Sequence, residues 1–399
     1  MSQTVLLYGA TGYAGRLIAA EGARTWNEGN GFPVRMLLAG RDGAALEALA
    51  RKYGVSFRVF GLDYEADIVR GLSDVQVVIN AAGPFAFTAG PMARAALVAG
   101  CHYVDINEEM GVYKTLDDKG HDARQKNVAL VCSAGYRAAA SDLLLSAALE
   151  SLQQGAVPAA EDGLGAVRIG MSHGLNCSRG SAATTLRSLR EQVAVVRHSD
   201  EDGGPVLWHE PVGKLERTFD FSARADGKRD LRIASAANLV DTLTARVRIM
   251  RTAIRVRRIE SYVEADTAVR FGYQLAAAAA PLVSLPWMRT LVRYSTELLP
   301  EGPTDTELAE QREILLLEIE DVFRTRIIDW RWETPNAYQF TAQVVVAISG
   351  ALASGAKQSG EPLSGWVTPA EVLRAADVRI TDPAGALRGC RLEMRAAGG

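Results

Sequence analysis

The sequence predicts an α/β fold: a parallel sheet with helices on both faces over residues 1–150, then an α+β domain with a largely antiparallel sheet. Three observations predict it. Six short apolar runs precede residue 150, and helical patterns alternate with them. A glycine-rich turn joins the first run to the first helical pattern. Beyond residue 150 the alternation gives way to strand-like runs separated by polar turns.

The first strand, Thr4-Val5-Leu6-Leu7-Tyr8, leads directly into Gly9-Ala10-Thr11-Gly12-Tyr13-Ala14-Gly15 and a helical pattern from Arg16. Strand, glycine turn and helix N-terminus in that order form the pyrophosphate site of a Rossmann-type dinucleotide-binding domain. Gly9 turns the chain, Gly12 lets backbone approach the phosphates, and Gly15 lets the helix lie close to the strand. Amides from Thr11 to Ala14, with Tyr13 between them, and the positive helix end receive the anion.

The second strand, residues 34–39, ends in Gly40-Arg41-Asp42, where the adenine ribose of a bound dinucleotide lies. A guanidinium there pairs with the 2'-phosphate of NADP(H), so Arg41 favours that cofactor over NAD; a merely solvated Arg41 is the alternative. Asp42 reads as the N-cap of a helix beginning at Gly43. Asp63, just past the third strand at residues 55–60, is placed to meet adenine. The fourth strand, residues 75–80, ends in Ala81-Ala82-Gly83-Pro84-Phe85. Small side chains at Ala82 and Gly83 permit close passage beside the nicotinamide ribose, and Pro84 stiffens the turn. Residues 102–106 and 128–132 supply strands five and six. Ligands of parallel sheets collect at the carboxyl ends of strands, so residues 10–15, 41, 82–85, 105–108 and 133–137 should line the site.

These residues carry a resemblance. The glycine turn, Ala39-Gly40-Arg41, the 80–85 turn, Tyr103-Val104-Asp105 and Gly135-Tyr136-Arg137-Ala138-Ala139-Ala140-Ser141-Asp142-Leu143 resemble the saccharopine dehydrogenase-like oxidoreductases, particularly the trans-acting enoyl reductase branch. Ser178-Arg179-Gly180-Ser181-Ala182-Ala183-Thr184 and Gly365-Trp366-Val367-Thr368-Pro369-Ala370 extend the likeness beyond the cofactor domain. Two departures touch the substrate side: Ala140 stands where that branch has proline, and Asn107-Glu108-Glu109 replaces a Thr-Gly-Glu run.

The resemblance implies an NADPH-dependent reductase that delivers hydride to a conjugated C=C of a hydrophobic or carrier-linked small molecule. Candidate proton donors are Tyr136, Asp105 and Glu108; Asp105 also reads as a loop cap, and Tyr136 as a packing residue against the nicotinamide. Phe85, Tyr136 and the turn containing Ser178, Arg179, Ser181 and Thr184 would then bound an apolar pocket. A saccharopine-type C=N reductase is the alternative, with Arg137 and Arg179 clamping substrate carboxylates. A non-catalytic NADP-binding or membrane-associated scaffold is the third reading, and intact strand tips argue against it.

Bulk properties suit an enzyme in the cytoplasm. The 399 residues permit two or three domains, and 48% hydrophobic with 23% charged residues is ordinary globular composition. A net charge of -3 leaves no footprint for nucleic acid. Cys101, Cys132, Cys177 and Cys390 are scattered, as reduced thiols are, and the five histidines show no metal-ligand spacing, so no metal is expected. Residues 5–8 read as a strand rather than as part of a secretory leader.

Residues 155–163 read as a linker into a substrate and oligomerisation domain at 151–336. Strand-like runs follow at 167–171, 206–209 and 215–221. Leu239, Leu243, Val247, Met250 and Ile254 recur at helical spacing, predicting a helix over 239–258 whose basic face holds Arg246, Arg251, Arg255 and Arg258. That face is a solvated one, or else meets an anionic membrane or an acidic carrier protein. Residues 271–288 carry no formal charge, but Pro281 and Pro286 argue against a membrane span. A buried helix is the first reading, a homodimer contact the second, and a lid or a loop resting peripherally on a membrane the third. An amphipathic helix over 337–352 opens a C-terminal segment, 337–399, which the resemblance returns toward the cofactor domain. Residues 378–380 and 390–394 are expected to pair as a closing hairpin.

Overall fold

The computed structural model describes residues 3–27, 34–155, 163–172, 193–198, 205–210, 214–223, 227–236, 240–252, 254–267, 270, 301–358, 360–381 and 385–395. The chain divides into two compact units, one of residues 1–139 with 338–388 and one of residues 140–337 with 389–399. The first unit opens with strands β1 (Gln3–Tyr8), β2 (Val34–Gly40), β3 (Ser56–Val59), β4 (Val77–Asn80), β5 (His102–Asp105) and β6 (Ala129–Val131). Within the second are β7 (Leu164–Met171), β8 (Val193–His198), β9 (Pro205–Glu210), β10 (Glu216–Asp220), β11 (Leu231–Ala236), β12 (Arg258–Glu264), β13 (Arg312–Asp321) and β14 (Arg326–Pro335). The chain re-enters the first unit for β15 (Lys357–Gln358), β16 (Glu361–Pro362) and β17 (Gly365–Val367), and closes the second with β18 (Arg391–Arg395).

The first unit is the expected parallel sheet, in the order β17-β6-β5-β4-β1-β2-β3. Val5, Leu6 and Leu7 of β1 and Val77, Val78 and Ile79 of β4 are buried, as suits strands covered by helices on both faces. The strand order reverses at β1, which pairs with β2 on one side and β4 on the other, register Val5↔Met36 and Val5↔Val77. Such a reversal leaves a crevice at the carboxyl ends of the two strands, where ligands bind. The helix Gly43–Tyr53 starts as expected, with Asp42 Oδ1 accepting from Ala45 N at 3.0 Å. The helix Ala337–Ala353 buries Phe340, Val344, Val345 and Ile348. A Cβ on its Gly350 would stand 3.2 Å from Trp26 Nε1, so that glycine lets helix and indole meet. β17 joins β6 in parallel, an edge strand the sequence did not reveal.

The second unit is built on a sheet ordered β10-β11-β12-β7-β13-β14-β18, with the β8–β9 hairpin attached to β12. It is antiparallel except for the β12–β7 pair. Phe219, Phe221, Ala234, Ala236, Tyr262 and Leu316 form a core cluster on it. Its longest strands, β13 and β14, lie where the sequence reading assigned no element.

Two expectations are corrected here. The helix predicted over 239–258 is described over Val240–Met250 only. Beyond it Leu164 N donates to Arg255 O at 2.8 Å and Arg257 N to Leu164 O at 2.9 Å, so pairing with the strand at Leu164 draws the backbone out straight. Arg258 therefore belongs to β12 rather than to a helix face. The closing hairpin does not form either. Asp377 turns through φ +55 and Val378 N donates to Leu373 O at 2.8 Å, which closes a helix end and leaves residues 378–380 outside any strand. β18 pairs with β14 instead, register Trp332↔Leu392. The 271–288 segment and most of the 155–163 linker lie outside the described residues.

Candidate functional site

The carboxyl ends of β1 and β4 bring two turns together. Gly9 takes φ +82, and a Cβ on it would stand 2.8 Å from Ala82 N, so the first turn abuts the second backbone to backbone. Gly9 N donates to Ala39 O at 2.9 Å, Gly12 N to Gly9 O at 3.1 Å and Arg16 N to Gly12 O at 2.9 Å, which makes Gly12 the residue that opens the helix Tyr13–Asn27. The glycines differ in what holds them. A Cβ on Gly15 would lie 2.1 Å from Gly9 O and 2.9 Å from Ala10 Cα, so helix and strand are in contact there. At exposed Gly12 the nearest atom to such a Cβ is Gly9 O at 3.4 Å, an ordinary contact. Nothing in the chain itself requires glycine at that position. The first-turn amides of the helix face the space beside it. Thr11 and Ala14 are half-buried in this turn, and Thr11 O accepts from Arg16 Nη1 at 2.9 Å. Tyr13 meets Tyr338 edge to face, with centroids 5.0 Å apart.

Arg41 follows β2, is exposed, and makes no hydrogen bond or ion pair among the described residues. Its charge reaches the Tyr8 hydroxyl, which donates to Phe60 O at 3.2 Å. Burial pushes that hydroxyl's pKa up, the Arg41 charge opposes the shift, and Asp63 reinforces it. Arg41 and Asp63 thus share the tips of β2 and β3 beside Tyr8. Across the crevice, Asn80 ends β4 and pins the second turn: its Oδ1 accepts from Ala82 N at 3.2 Å, while Thr88 Oγ1 donates to Ala82 O at 2.6 Å. Ala82 is half-buried, Gly83 and Pro84 are exposed and joined by a cis peptide, and Phe85 N donates to Glu109 Oε1 at 3.2 Å.

The three candidate proton donors gather at the tips of β5 and β6, in different states. Asp105 is 0% exposed. Its carboxylate accepts from Tyr103 OH at 2.8 Å, Ser133 N at 2.8 Å and Asn107 N at 3.1 Å. Burial pushes its pKa up to about 6, against the pull of those donors. Glu108 sits at the start of the helix Tyr136–Gln153, where Oε1 accepts from Arg137 N at 3.4 Å. Tyr136 is 6% exposed, its ring edge-on to Phe340 at 5.4 Å. Arg137 is half-buried beside it. Ser178, Arg179, Ser181 and Thr184 lie outside the described residues.

The sequence reading missed the buried polar chain Asn80-Tyr103-Asp105-Asn107 that ties the tips of β4 and β5 together. One signal was present: Asn80 is a polar end to an otherwise apolar Val77-Val78-Ile79 run. Tyr338 was missed because 325 residues separate it from Tyr13. Among the described residues no cluster of three or more His, Cys, Asp or Glu could hold a metal ion, Cys101, Cys132 and Cys390 are free thiols, and no helix is long and apolar enough to cross a membrane.

Comparison with known proteins places this geometry. Residues 5–138 match the saccharopine dehydrogenase NADP binding domain family. A trans-acting enoyl reductase of Mycobacterium tuberculosis is 28% identical over 146 residues, which is 35% of this chain and 34% of that protein. The chain thus spans about a third of the length of the curated relatives it matches. Two solved structures share the fold at 12% identity and TM-score 0.58. Saccharopine dehydrogenase (L-Glu forming) from Saccharomyces cerevisiae covers 99% of this chain and 100% of its own. Homospermidine synthase from Legionella pneumophila, in complex with NAD, covers 99% and 91%.

Proposed function

We propose that this chain, whose residues 5–138 match the saccharopine dehydrogenase NADP binding domain family, is an NADP(H)-dependent oxidoreductase that reduces a conjugated C=C of a hydrophobic or carrier-linked substrate. The observation that carries the cofactor part is exposed Arg41 at the tip of β2, unpartnered among the described residues, with a turn open at Gly12 after the neighbouring strand. A guanidinium with no carboxylate of its own supports a 2'-phosphate as the group that completes it. The enoyl part is supported by the likeness to trans-acting enoyl reductases.

In this reading the bound dinucleotide supplies hydride, and the chain supplies position and protons. Amides of Thr11, Tyr13 and Ala14 receive the pyrophosphate, Arg41 the 2'-phosphate, and Asp63 the adenine edge. Ala82, Gly83 and Pro84 pass beside the nicotinamide ribose, held in place by Asn80 and Thr88. Asp105 is a positioning residue, since its oxygens already join β5 to the turn after β6. Tyr136 or Glu108 presents the proton that completes reduction, and the same donor stabilises charge developing on the substrate carbonyl oxygen. Phe85, half-buried at the end of the second turn, bounds the substrate.

The test is NADPH oxidation against enoyl thioesters, simple enones and carboxylate-bearing imines, with deuterated NADPH to locate the transferred atom. Turnover of the enoyl compounds supports the proposal. Turnover of the imines alone replaces it with a saccharopine-type C=N reduction, and NADPH binding with no turnover on any of the three leaves a binding protein.

A further inference from the structure

The second unit holds a cleft of about 540 Å3 at the end of its sheet where β7 starts and the β13–β14 hairpin turns. Among the described residues Arg168, Arg257, Arg258 and Arg324 line it, with Glu320 and Asp321 as the lining acids. The acids already have partners. Glu320 lies 2.5 Å from Arg168 Nη1, and Asp321 Oδ1 accepts from Phe323 N at 2.9 Å and Thr325 N at 2.8 Å. Arg168 is further held by Glu260 at 3.1 Å. The remaining cations are held less fully. The Arg257 and Arg324 side chains make no hydrogen bond or ion pair among the described residues, and Arg258 has a long ion pair, Nη1 to Glu260 Oε1 at 3.8 Å.

The backbone holds these three guanidinium groups around the cleft. Arg257 and Arg258 come from the segment that pairs with Leu164, and Arg324 from the hairpin turn, where it takes φ +69. That left-handed conformation is unfavourable for a side chain other than glycine, yet an arginine occupies it. Gly165 admits the turn: a Cβ there would lie 2.2 Å from Asp321 O. The like charges of Arg257 and Arg324 at one cleft repel one another unless an anion joins them. We propose that this cleft binds a compact phosphate-bearing anion. The planar fork of arginine matches phosphate oxygens, the cleft has the size of a small-ligand site, and among the described residues Val322 is the large apolar residue lining it. A free phosphorylated metabolite and an anionic lipid headgroup share this chemistry. Phe323, 77% exposed at the hairpin tip, would enter a lipid surface in the second case.

Pyrophosphate titrated calorimetrically into the full chain, saturated with NADP+ so that the glycine turn is filled, should bind at one equivalent. Arg257→Gln and Arg324→Gln should each weaken it about tenfold or more without changing NADP+ affinity, and both side chains are exposed, so folding should survive. Gly12→Val, tested without cofactor, should retain the pyrophosphate site. Co-sedimentation with phosphatidylcholine vesicles containing phosphatidic acid, lost in Phe323→Ala and in the arginine variants, would identify a headgroup; pyrophosphate binding without co-sedimentation would identify a soluble metabolite. Absence of saturable pyrophosphate binding, or binding unchanged in the Arg257→Gln/Arg324→Gln double variant, overturns the proposal.

Discussion

Gly12 and Gly15 are three residues apart in one turn, and substituting them should produce opposite phenotypes. A methyl group at position 12 meets only Gly9 O, at 3.4 Å. Replacing glycine by alanine at a helix-opening position loses about 0.5–1 kcal/mol of capping preference, and the stiffer unfolded chain returns about 0.4–1 kcal/mol. Gly12→Ala should therefore leave the melting temperature of the unliganded protein nearly unchanged. The same methyl enters the space where backbone meets pyrophosphate, so NADP+ affinity should fall at least about tenfold, or roughly 1.4 kcal/mol; Gly12→Val should abolish binding. At position 15 a methyl would stand 2.1 Å from Gly9 O, with backbone on the other side that cannot rotate away. Overpacking of that kind costs about 1–3 kcal/mol, which lowers the melting temperature by roughly 3 °C per kcal/mol. Thermal melts with and without NADP+, followed by calorimetry, separate the two effects. The reasoning fails if Gly12→Ala melts as low as Gly15→Ala, or if Gly12→Val binds NADP+ like the unmodified chain.

Arg41→Ala should reduce the preference for NADPH over NADH by at least about tenfold without altering the melting temperature; calorimetry showing equal cofactor affinities in the unmodified chain would end the 2'-phosphate assignment. Burial holds the Asp105 carboxyl at about pH 6 in the folded chain, whereas it ionises near its ordinary value when unfolded. The folded state therefore keeps a proton that the unfolded state has lost, and the contribution of Asp105 to stability falls as pH rises from about 4 to about 6, by roughly 3 kcal/mol in all. Asp105→Asn removes that dependence, so its stability relative to the parent should rise across this window in denaturant unfolding; parallel pH curves would refute it. Arg248 donates to both oxygens of Asp142 at 3.0 and 3.2 Å, and both residues are buried, so Arg248→Met should destabilise by about 3–5 kcal/mol by removing the charge that faces a buried carboxylate. Restored stability in Arg248→Met/Asp142→Leu would confirm the origin of the loss, and a silent Arg248→Met would refute it. Tyr136→Phe should lower kcat with NADPH affinity unchanged if its hydroxyl is the donor; an unaltered kcat would move that role to Glu108.

How legible each part was depended on whether its partners were local. The six strands of the first unit could be read because each is a short apolar run bounded by helix signals, and a strand buried on both faces needs no further pattern. Parallel topology then placed the site, since all the strand tips point the same way. The 239–258 stretch misled because its apolar residues satisfy helical spacing to Ile254, while buried Val256 between exposed Arg255 and Arg257 alternates as a strand does. Over so few residues the two periods overlap. What decides is a backbone partner at Leu164, about 90 residues away. The same holds for β18, whose partner is β14 rather than the nearer 378–380 run, because β14 offers an open edge with Trp330 and Trp332 buried along it.

Residue type alone ranked Asp105, Glu108 and Tyr136 together as proton donors. Their polar surroundings separate them. A general acid must present its proton to a reacting atom within hydrogen-bond reach. The oxygens of Asp105 face one hydroxyl and two amides of the chain, and none of its surface is exposed, so a pKa near 6 there reflects a carboxyl confined between strand tips. That value near neutrality would mark a catalyst in a cleft; in a closed site it marks the tension of burying a charge. Glu108 is held by a single long hydrogen bond at 3.4 Å, so little binds it to its present position. Under the proposed function the proton therefore comes from the Tyr136 and Glu108 side of the turn, and Asp105 acts by keeping that turn in register with β5.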